Sequence, residues 1–304
     1  MGTTPNHVTR ADVLCSSAAE FLASLRLTNP IWGGRPSNRW AFRGQANASW
    51  GLVPKAFRPT TNLAYTGPQL RPPLEADEQR RAELRVLNYF LFLADRVGLP
   101  IPGDGQHLRL PDTVQSRRPS FDDWPWPGVL EILAIAQHHG VPTRLLDFTH
   151  DPLTAAFFAA QAADSDMADG VGEESLAVWA VDLRVVSRSV DAHRSRGERP
   201  SVIWVTASRA SNTFLHQQDA LFLLDLEAER RDFPPDLEDA IASAPHRAAL
   251  PPSKDPTILR LMLSREHVPD LLRLLWNENY HPARLMPTYD NVVRTLEFRR
   301  ELGV

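Results

Sequence analysis

Three short segments of the sequence bring together residue types that can do chemistry. Residues 42–45 read Phe-Arg-Gly-Gln, an arginine followed by a glycine that lets a backbone or a ligand approach closely. Residues 135–149 carry seven hydrogen-bonding side chains between apolar ones, and residues 212–222 place a histidine, two glutamines and an aspartate before an apolar run. This density of polar groups, above all in residues 135–149, indicates a binding or catalytic site.

Each of these features also has a purely structural interpretation. An Arg-Gly pair at a strand end is most often a surface turn, and threonines such as Thr143 and Thr149 commonly cap local backbone groups. Asp147 has the spacing of a salt-bridge partner for Arg144, or of a cap for a helix that opens at Pro152. Taken singly, the structural interpretation is preferred for each residue; the clustering favours a site.

The adjacent His138 and His139 do not have the spacing of a metal site. Neighbouring residues of a helix point about 100° apart, whereas metal-binding histidines on one helix lie four residues apart. A metal-dependent hydrolase built on His138, Asp147 and His216 is therefore disfavoured, and we expect no bound metal.

Hydrophobic periodicity predicts the elements that must position these segments. Residues 39–45 read as a strand, residues 128–139 as a helix that ends before Gly140, and the apolar run 221–224 as a buried strand. Further helices are predicted at 13–25 with Asp12 as N-cap, 75–97, 153–162, 258–265, 269–276 and 288–301, and further strands at 176–182 and 201–206, separated by an Arg/Ser-rich loop.

These elements predict an α+β fold with a small mixed or antiparallel β-sheet core and several flanking helices. Residues 1–37 form an N-terminal helix and lead-in, and residues 38–225 form the core, with an insertion at 98–128 that is rich in Pro and Gly and longer than most loops. Residues 226–304 form a linker and a C-terminal helical part packed on the core.

Composition excludes several classes of protein. The 304 residues contain no apolar run long enough to span a membrane, and the first residues do not have the pattern of a secretory leader, so we expect a cytoplasmic protein. The single cysteine, Cys15, excludes an intrachain disulfide and a cysteine-rich zinc site. A net charge of −4 argues against a protein that coats nucleic acid with its whole surface.

The two strongest segments resemble the FRG-domain family. Residues 42–45 contain the tripeptide for which the family is named, and Leu52-Val53-Pro54 and Arg58 follow it. Residues 137–159 resemble the family's longest motif, with His139 and Phe148 in place of its usual aromatic residue and tryptophan. Residues 212–222 resemble a third family element, in which Phe214 and Ala220 replace an arginine and a glycine, and the resemblance covers roughly residues 38–300.

The resemblance implies an ADP-ribosyltransferase-like arrangement that uses NAD as its substrate. Such folds place an arginine on a first strand, a hydroxyl on a middle strand and an acid or amide late in the chain, and Arg43, Thr143 or Thr149, and Gln218 occur in that order. The implied catalytic residues are Arg43, His138, Asp147 and Gln218, and the implied cofactor-binding residues are Arg43, Gly44, Gln45, Gln137, Thr143, Arg144 and Thr149.

Two functions therefore remain open beside the disfavoured hydrolase. The resemblance implies an NAD-dependent transferase, a toxin or phage-defence effector that modifies nucleic acid or protein and has an antitoxin or other defence-system protein as a partner. The alternative is a non-catalytic nucleotide- or nucleic-acid-binding module, which the lack of a clear catalytic glutamate favours.

Overall fold

A mixed β-sheet lies at the centre of the computed structural model, which describes residues 10–33, 39–65, 67–100, 123–168, 174–206, 218–242 and 256–303. In these residues its seven strands run in the order β1-β7-β4-β2-β3-β6-β5, and β1 with β7 is the one parallel pair. The strands are β1 (Arg10–Cys15), β2 (Trp40–Gln45), β3 (Leu145–Thr149), β4 (Ser175–Asp182), β5 (Val202–Val205), β6 (Ala220–Asp225) and β7 (Ile258–Ser264). The predicted α+β class with a mixed sheet is confirmed.

The sheet is nearly divided between β2 and β3. Strand β2 pairs with β4 along its whole length, and β3 pairs with β6 along its whole length. Between β2 and β3, however, the described pairing consists of Phe42 opposite Thr149. The sheet is therefore two half-sheets, β1-β7-β4-β2 and β3-β6-β5, joined at one residue pair.

Helices cover both faces of this sheet. The helices of the described residues are α1 (Ala18–Leu25), α2 (Ala76–Arg96), α3 (Leu130–His138), α4 (Pro152–Ala168), α5 (Leu183–Ser195), α6 (Leu237–Ala242), α7 (Val268–Asn277), α8 (Pro282–Leu285) and α9 (Tyr289–Leu302). Helices α1, α4 and α7 pack on one face of the first half-sheet, and α2 and α3 pack on the second half-sheet. A separate core on the opposite face includes α5 and α6.

Gly44 lets helix α4 lie directly against strand β2. A Cβ atom at Gly44 would sit 1.9 Å from the carbonyl oxygen of Ala155 and 2.9 Å from the amide nitrogen of Ala159. Any other residue at Gly44 would force α4 away from the sheet, because backbone atoms cannot yield as a flexible side chain can.

The predicted helix at residues 13–25 is wrong in its first half. Residues 10–15 form β1 instead, and α1 begins only at Ala18, because Ser17 rather than Asp12 caps it by accepting from the amide of Glu20 at 3.2 Å. The carboxylate of Asp12 pairs with Arg260 of β7 across the parallel ladder.

The predicted helix at residues 258–265 is also wrong. These residues form β7, which lies between β1 and β4 and is bonded on both edges. Leu259, Leu261 and Leu263 bury one face of the strand, whereas Arg260, Met262 and Ser264 on the other face are half-buried. A short and nearly continuous apolar run of this kind cannot be distinguished from a buried helix by periodicity.

The Arg/Ser-rich segment between β4 and β5 is a helix and not the predicted loop. Asp182 caps α5 by accepting from the amide of Arg184 at 3.0 Å, and Val185, Val186 and His193 are buried on one side of the helix. The other predicted helices and strands are confirmed within a few residues of their ends, although α4 extends to Ala168. Residues 101–122 of the predicted insertion lie outside the described residues.

Candidate functional site

A cavity of about 350 Å³ opens where the two half-sheets part. Its walls come from β2, β3, β6, α3 and α4, with Gln218 from the turn before β6 and Met286 from the segment after α8. The polar side chains in its lining are Arg43, Gln137, His138, Asp147, Thr149, Thr154 and Gln218. An apolar cavity with a few convergent polar groups is the usual form of a small-molecule site. We call this cavity the cleft.

Arg43 occupies the opening between the half-sheets. Its Nη1 donates to the main-chain oxygen of Asp147 at 2.9 Å, so a side chain of β2 satisfies a carbonyl of β3 where the strands no longer pair. The side chain is 15 % exposed, and its buried Nε donates to no acceptor among the described residues. Burial lowers the pKa of Arg43, an effect that Asp147 opposes. The guanidinium is therefore a desolvated cation with donor capacity left for an anionic ligand.

The carboxylate of Asp147 is held beside Arg43 but is not fully paired with it. Its Oδ2 lies 3.6 Å from Nη1 of Arg43 and accepts a hydrogen bond from Nε2 of Gln137 at 3.0 Å. The Oε1 of Gln137 in turn accepts from the hydroxyl of Thr143 at 2.9 Å, which fixes the orientation of the amide. The Thr143–Gln137 pair thus orients the carboxylate, whose side chain is 53 % exposed.

His138 enters the cleft from the last turn of α3. Its ring lies edge-on to that of His139, with 5.3 Å between the ring centroids. Burial and the neighbouring His139 lower the pKa of His138, and Asp147 opposes the shift. The lowered pKa favours the neutral imidazole, which is the form that can accept a proton.

Gln218 and Thr149 connect β3, β6 and the segment around α8. The hydroxyl of Thr149 donates to the main-chain oxygen of Gln218 at 2.6 Å, and Nε2 of Gln218 donates to the main-chain oxygen of Leu285 at 3.2 Å. This second bond places Met286 on the wall of the cleft. Gln218 thus lines the cleft, and its amide nitrogen holds the C-terminal segment.

Three predicted binding residues do not line the cleft. Arg144 is fully buried and donates to Glu83 at 2.6 Å and to Glu229 at 3.0 Å. Gln45 donates to the main-chain oxygen of Gly51 and accepts from Nε1 of Trp179. Thr143 is buried behind Gln137. These side chains hold the surrounding backbone and reach a ligand only through their neighbours.

Several residues of this region were not among the predicted site residues. Thr154, Phe158 and Met286 line the cleft, and Arg58 lies within electrostatic range of Arg43, which together with burial lowers the pKa of Arg58. Phe158 and Arg58 belong to the motifs quoted above, so the sequence could have indicated that they lie near the site. Nothing in the sequence indicates that Met286 returns to the cleft.

Within the described ranges, no three histidine, cysteine or acidic side chains are grouped so that they could hold a metal ion. His216 of the disfavoured hydrolase lies outside those ranges.

The comparisons with known proteins agree with the two central motifs. The family model described as FRG domain matches residues 38–168. No curated protein and no solved structure matches the chain. None of the helices in the described parts has the length and apolar character needed to cross a bilayer. The residues that the FRG domain model matches include Arg43, Gln137, His138 and Asp147 of the cleft.

Proposed function

We propose that this protein binds NAD in the cleft and transfers its ADP-ribosyl group to an acceptor. The observation that carries the proposal is the buried guanidinium of Arg43 at the opening of the sheet, beside a carboxylate and a neutral imidazole. An elongated ligand with an anionic centre fits an opening that has a cation at its edge and apolar walls behind it.

In this mechanism Arg43 binds the pyrophosphate or a ribose of NAD. The guanidinium forks suit phosphate oxygens better than a point charge does, and the partial burial of Arg43 strengthens the interaction. Thr149 supports the wall that faces the nicotinamide ribose. Gln137 keeps Asp147 turned towards the cleft, so that the carboxylate does not neutralise Arg43 before the ligand arrives.

The chemical step breaks the bond between ribose C1′ and the nicotinamide nitrogen. Nicotinamide leaves with the electron pair of that bond, and C1′ acquires oxocarbenium character that the charge of Asp147 stabilises. A nucleophile of the acceptor then forms the new bond to C1′, and its proton passes to the neutral His138. Gln218 orients ribose hydroxyls and cannot act as a base, because an amide has no basic site near neutral pH.

Nicotinamide release tests the proposal. The purified protein is incubated with NAD and mixed DNA, RNA and protein acceptors, and free nicotinamide is quantified. We expect Arg43→Ala to reduce release by about a hundredfold or more, as is typical when one preorganised charge-stabilising donor is lost.

The matched control is Arg26→Ala, which breaks an exposed ion pair with Glu278 away from the cleft and should leave the rate unchanged. No release by the wild type, together with a thermal midpoint that NAD does not raise, would refute NAD chemistry.

The biological role belongs to the same proposal. We infer a toxin or phage-defence effector that acts in the cytoplasm on nucleic acid or protein, with an antitoxin or other defence-system protein as a partner. The support is the FRG domain alone. Expression of the wild type should arrest growth, and expression of Arg43→Ala should not; equal growth of the two strains would contradict the role.

A non-catalytic nucleotide-binding module is the second candidate, and the state of Gln218 favours it. Its amide nitrogen is engaged by Leu285, and Asp147 is the one acidic side chain among the described residues that line the cleft. A binding module would show a raised thermal midpoint with NAD or a mononucleotide and no release of nicotinamide.

A further inference from the structure

The outer face of α2 carries three arginines and, between the second and the third, two aromatic rings. Arg81, Arg85, Tyr89, Phe92 and Arg96 follow one another at intervals of three or four residues, so they form one line along the helix. We call this line the α2 stripe. It lies opposite the buried face of α2, which includes Gln79, Glu83, Leu87 and Leu91, and it spans about 22 Å at 1.5 Å per residue.

The stripe is open to solvent, and its cations are not neutralised. Tyr89 is 41 % exposed and Phe92 is 50 % exposed. Within the parts of the chain that are described, Arg81 and Arg85 form no ion pair or hydrogen bond, and Arg96 contacts only the ring of Phe92, at 5.6 Å. The three guanidinium groups therefore keep their donors for a partner.

The rings of the stripe are arranged as a platform. Tyr89 and Phe92 stack with 6.3 Å between their centroids and 23° between their planes. Beside Tyr89 lies a groove of about 220 Å³, which is also lined by Arg85, Tyr65 and Val86. Tyr65 is 55 % exposed, so a flat ring has access to two tyrosines and one guanidinium.

We propose that the α2 stripe binds single-stranded nucleic acid. Bases stack on Tyr89 and Phe92 and enter the groove at Tyr65, and phosphates pair with Arg81, Arg85 and Arg96. Stacking platforms interleaved with cations are the means by which proteins hold single strands without reading their sequence. This proposal goes beyond the cleft and does not depend on NAD.

The charges and rings of the α2 stripe favour single-stranded nucleic acid over an apolar helix or a nucleic-acid duplex. An apolar helix docked on Tyr89 and Phe92 would bury three guanidinium groups with no acceptor, at a high desolvation cost. A duplex keeps its base faces stacked inside the helix and so cannot use the rings. A single strand offers base faces to the aromatic rings and phosphates to the arginines. Because the whole chain has a net charge of −4, binding must be local and sensitive to salt.

Fluorescence anisotropy with a labelled oligonucleotide, as DNA and as RNA, measures the binding. We expect Tyr89→Ala to weaken it by about fivefold or more, the lower end of the loss of one stacked base, and Tyr89→Phe to keep it. Arg85→Gln should reduce the slope of log affinity against log salt concentration by about 0.7, the value for one phosphate contact on a single strand.

Two exposed residues outside the stripe provide matched controls. Tyr289→Ala removes a tyrosine that is 92 % exposed on α9, and Arg188→Gln removes an exposed arginine of α5. Neither should change the affinity or the salt slope. The proposal is overturned if no strand binds at low salt, if a matched duplex binds equally well, or if the controls weaken binding as much as the stripe variants do.

Discussion

At the scale of single residues, the cleft depends on a chain of hydrogen bonds that keeps opposite charges close but incompletely paired. Thr143 orients Gln137, Gln137 holds Asp147, and the carboxylate of Asp147 remains 3.6 Å from the nearest nitrogen of Arg43. A ligand anion can therefore bind Arg43 without first breaking a tight ion pair, whose disruption would cost part of the binding energy.

The same arrangement predicts how His138 titrates. Because burial and His139 lower its pKa and Asp147 opposes them, the midpoint should lie below 6.5 in an NMR titration of the imidazole. Asp147→Asn should lower the pKa of His138 further, and His139→Gln should raise it. His281 serves as an internal control, since its pKa is lowered by burial and Arg284 and should not respond to either change.

This prediction has a functional consequence with a definite sign. If His138 accepts the acceptor's proton, the reaction needs its neutral form and should slow as the pH falls through the pKa of His138. A midpoint at or above 6.5, or shifts of opposite sign in the two variants, would contradict the predicted effects of burial, His139 and Asp147 on His138.

The sequence predicted the contents of the cleft better than the direction of each side chain. Arg43, Gln137, His138, Asp147, Thr149 and Gln218 all line it. Arg144 does not, because it precedes the first residue of β3 and turns to Glu83 and Glu229, which are distant in sequence. Pairings of that kind depend on tertiary structure, and no local pattern encodes them.

At the scale of elements, the approach of α4 to β2 sets the width of the cleft. Since a Cβ at Gly44 would overlap the carbonyl oxygen of Ala155, Gly44→Ala should lower the free energy of unfolding by about 1–3 kcal/mol, the usual cost of overpacking. Urea denaturation measures the change.

Gly128→Ala is the control for this substitution. A Cβ at Gly128 meets no atom closer than 3.9 Å, and its backbone conformation is open to alanine. The unfolding free energy of this variant should stay within about 0.5 kcal/mol of the wild type. Equal effects of the two substitutions would show that the α4–β2 contact is not tight.

Element types were predictable for long amphipathic segments and ambiguous for short runs that are nearly all apolar. The amphipathic α2 matches its prediction almost to the residue. Strand β7 was mistaken for a helix because its short run is nearly all apolar and because its neighbours β1 and β4, which pair with its two edges, come from distant parts of the chain.

At the scale of the whole molecule, a buried ion-pair network ties α2 to the start of β3 and to the turn after β6. Arg144 binds Glu83 and Glu229, and Arg80 binds Glu229 from the other side at 2.7 Å. All four side chains are at most 3 % exposed. The network lies behind Thr143, so it also fixes the backbone that orients Gln137.

Removing the central cation should therefore be costly. Arg144→Met leaves two buried carboxylates with too few partners, and we expect the unfolding free energy to fall by about 3–5 kcal/mol. The control, Arg196→Met, breaks an exposed pair with Glu198 and should cost at most about 1 kcal/mol. Denaturation curves of the two variants that coincide would argue against the network.

The network also predicts a loss of stability in acid. Burial alone would raise the pKa of Glu229, but Arg144 and Arg80 hold it below its ordinary value. The resulting stabilisation is present above the unfolded-state pKa of about 4.3 and is lost as the pH falls through the lower folded-state value. Glu229→Gln should therefore show a smaller loss of unfolding free energy between pH 5 and acid conditions than the wild type does.

Because β2 and β3 pair at a single residue, the segment that the family model matches differs from the part of the chain that can fold. Residues 38–168 contain these two strands, yet each is completed by a neighbour outside that range, β4 for one and β6 for the other. If residues 38–168 were expressed alone, β2 and β3 would share almost no hydrogen bonds, and both strands would have exposed edges. The segment thus contains the residues of the cleft but is not expected to fold by itself. A truncated protein should therefore not begin or end at residues 38 and 168.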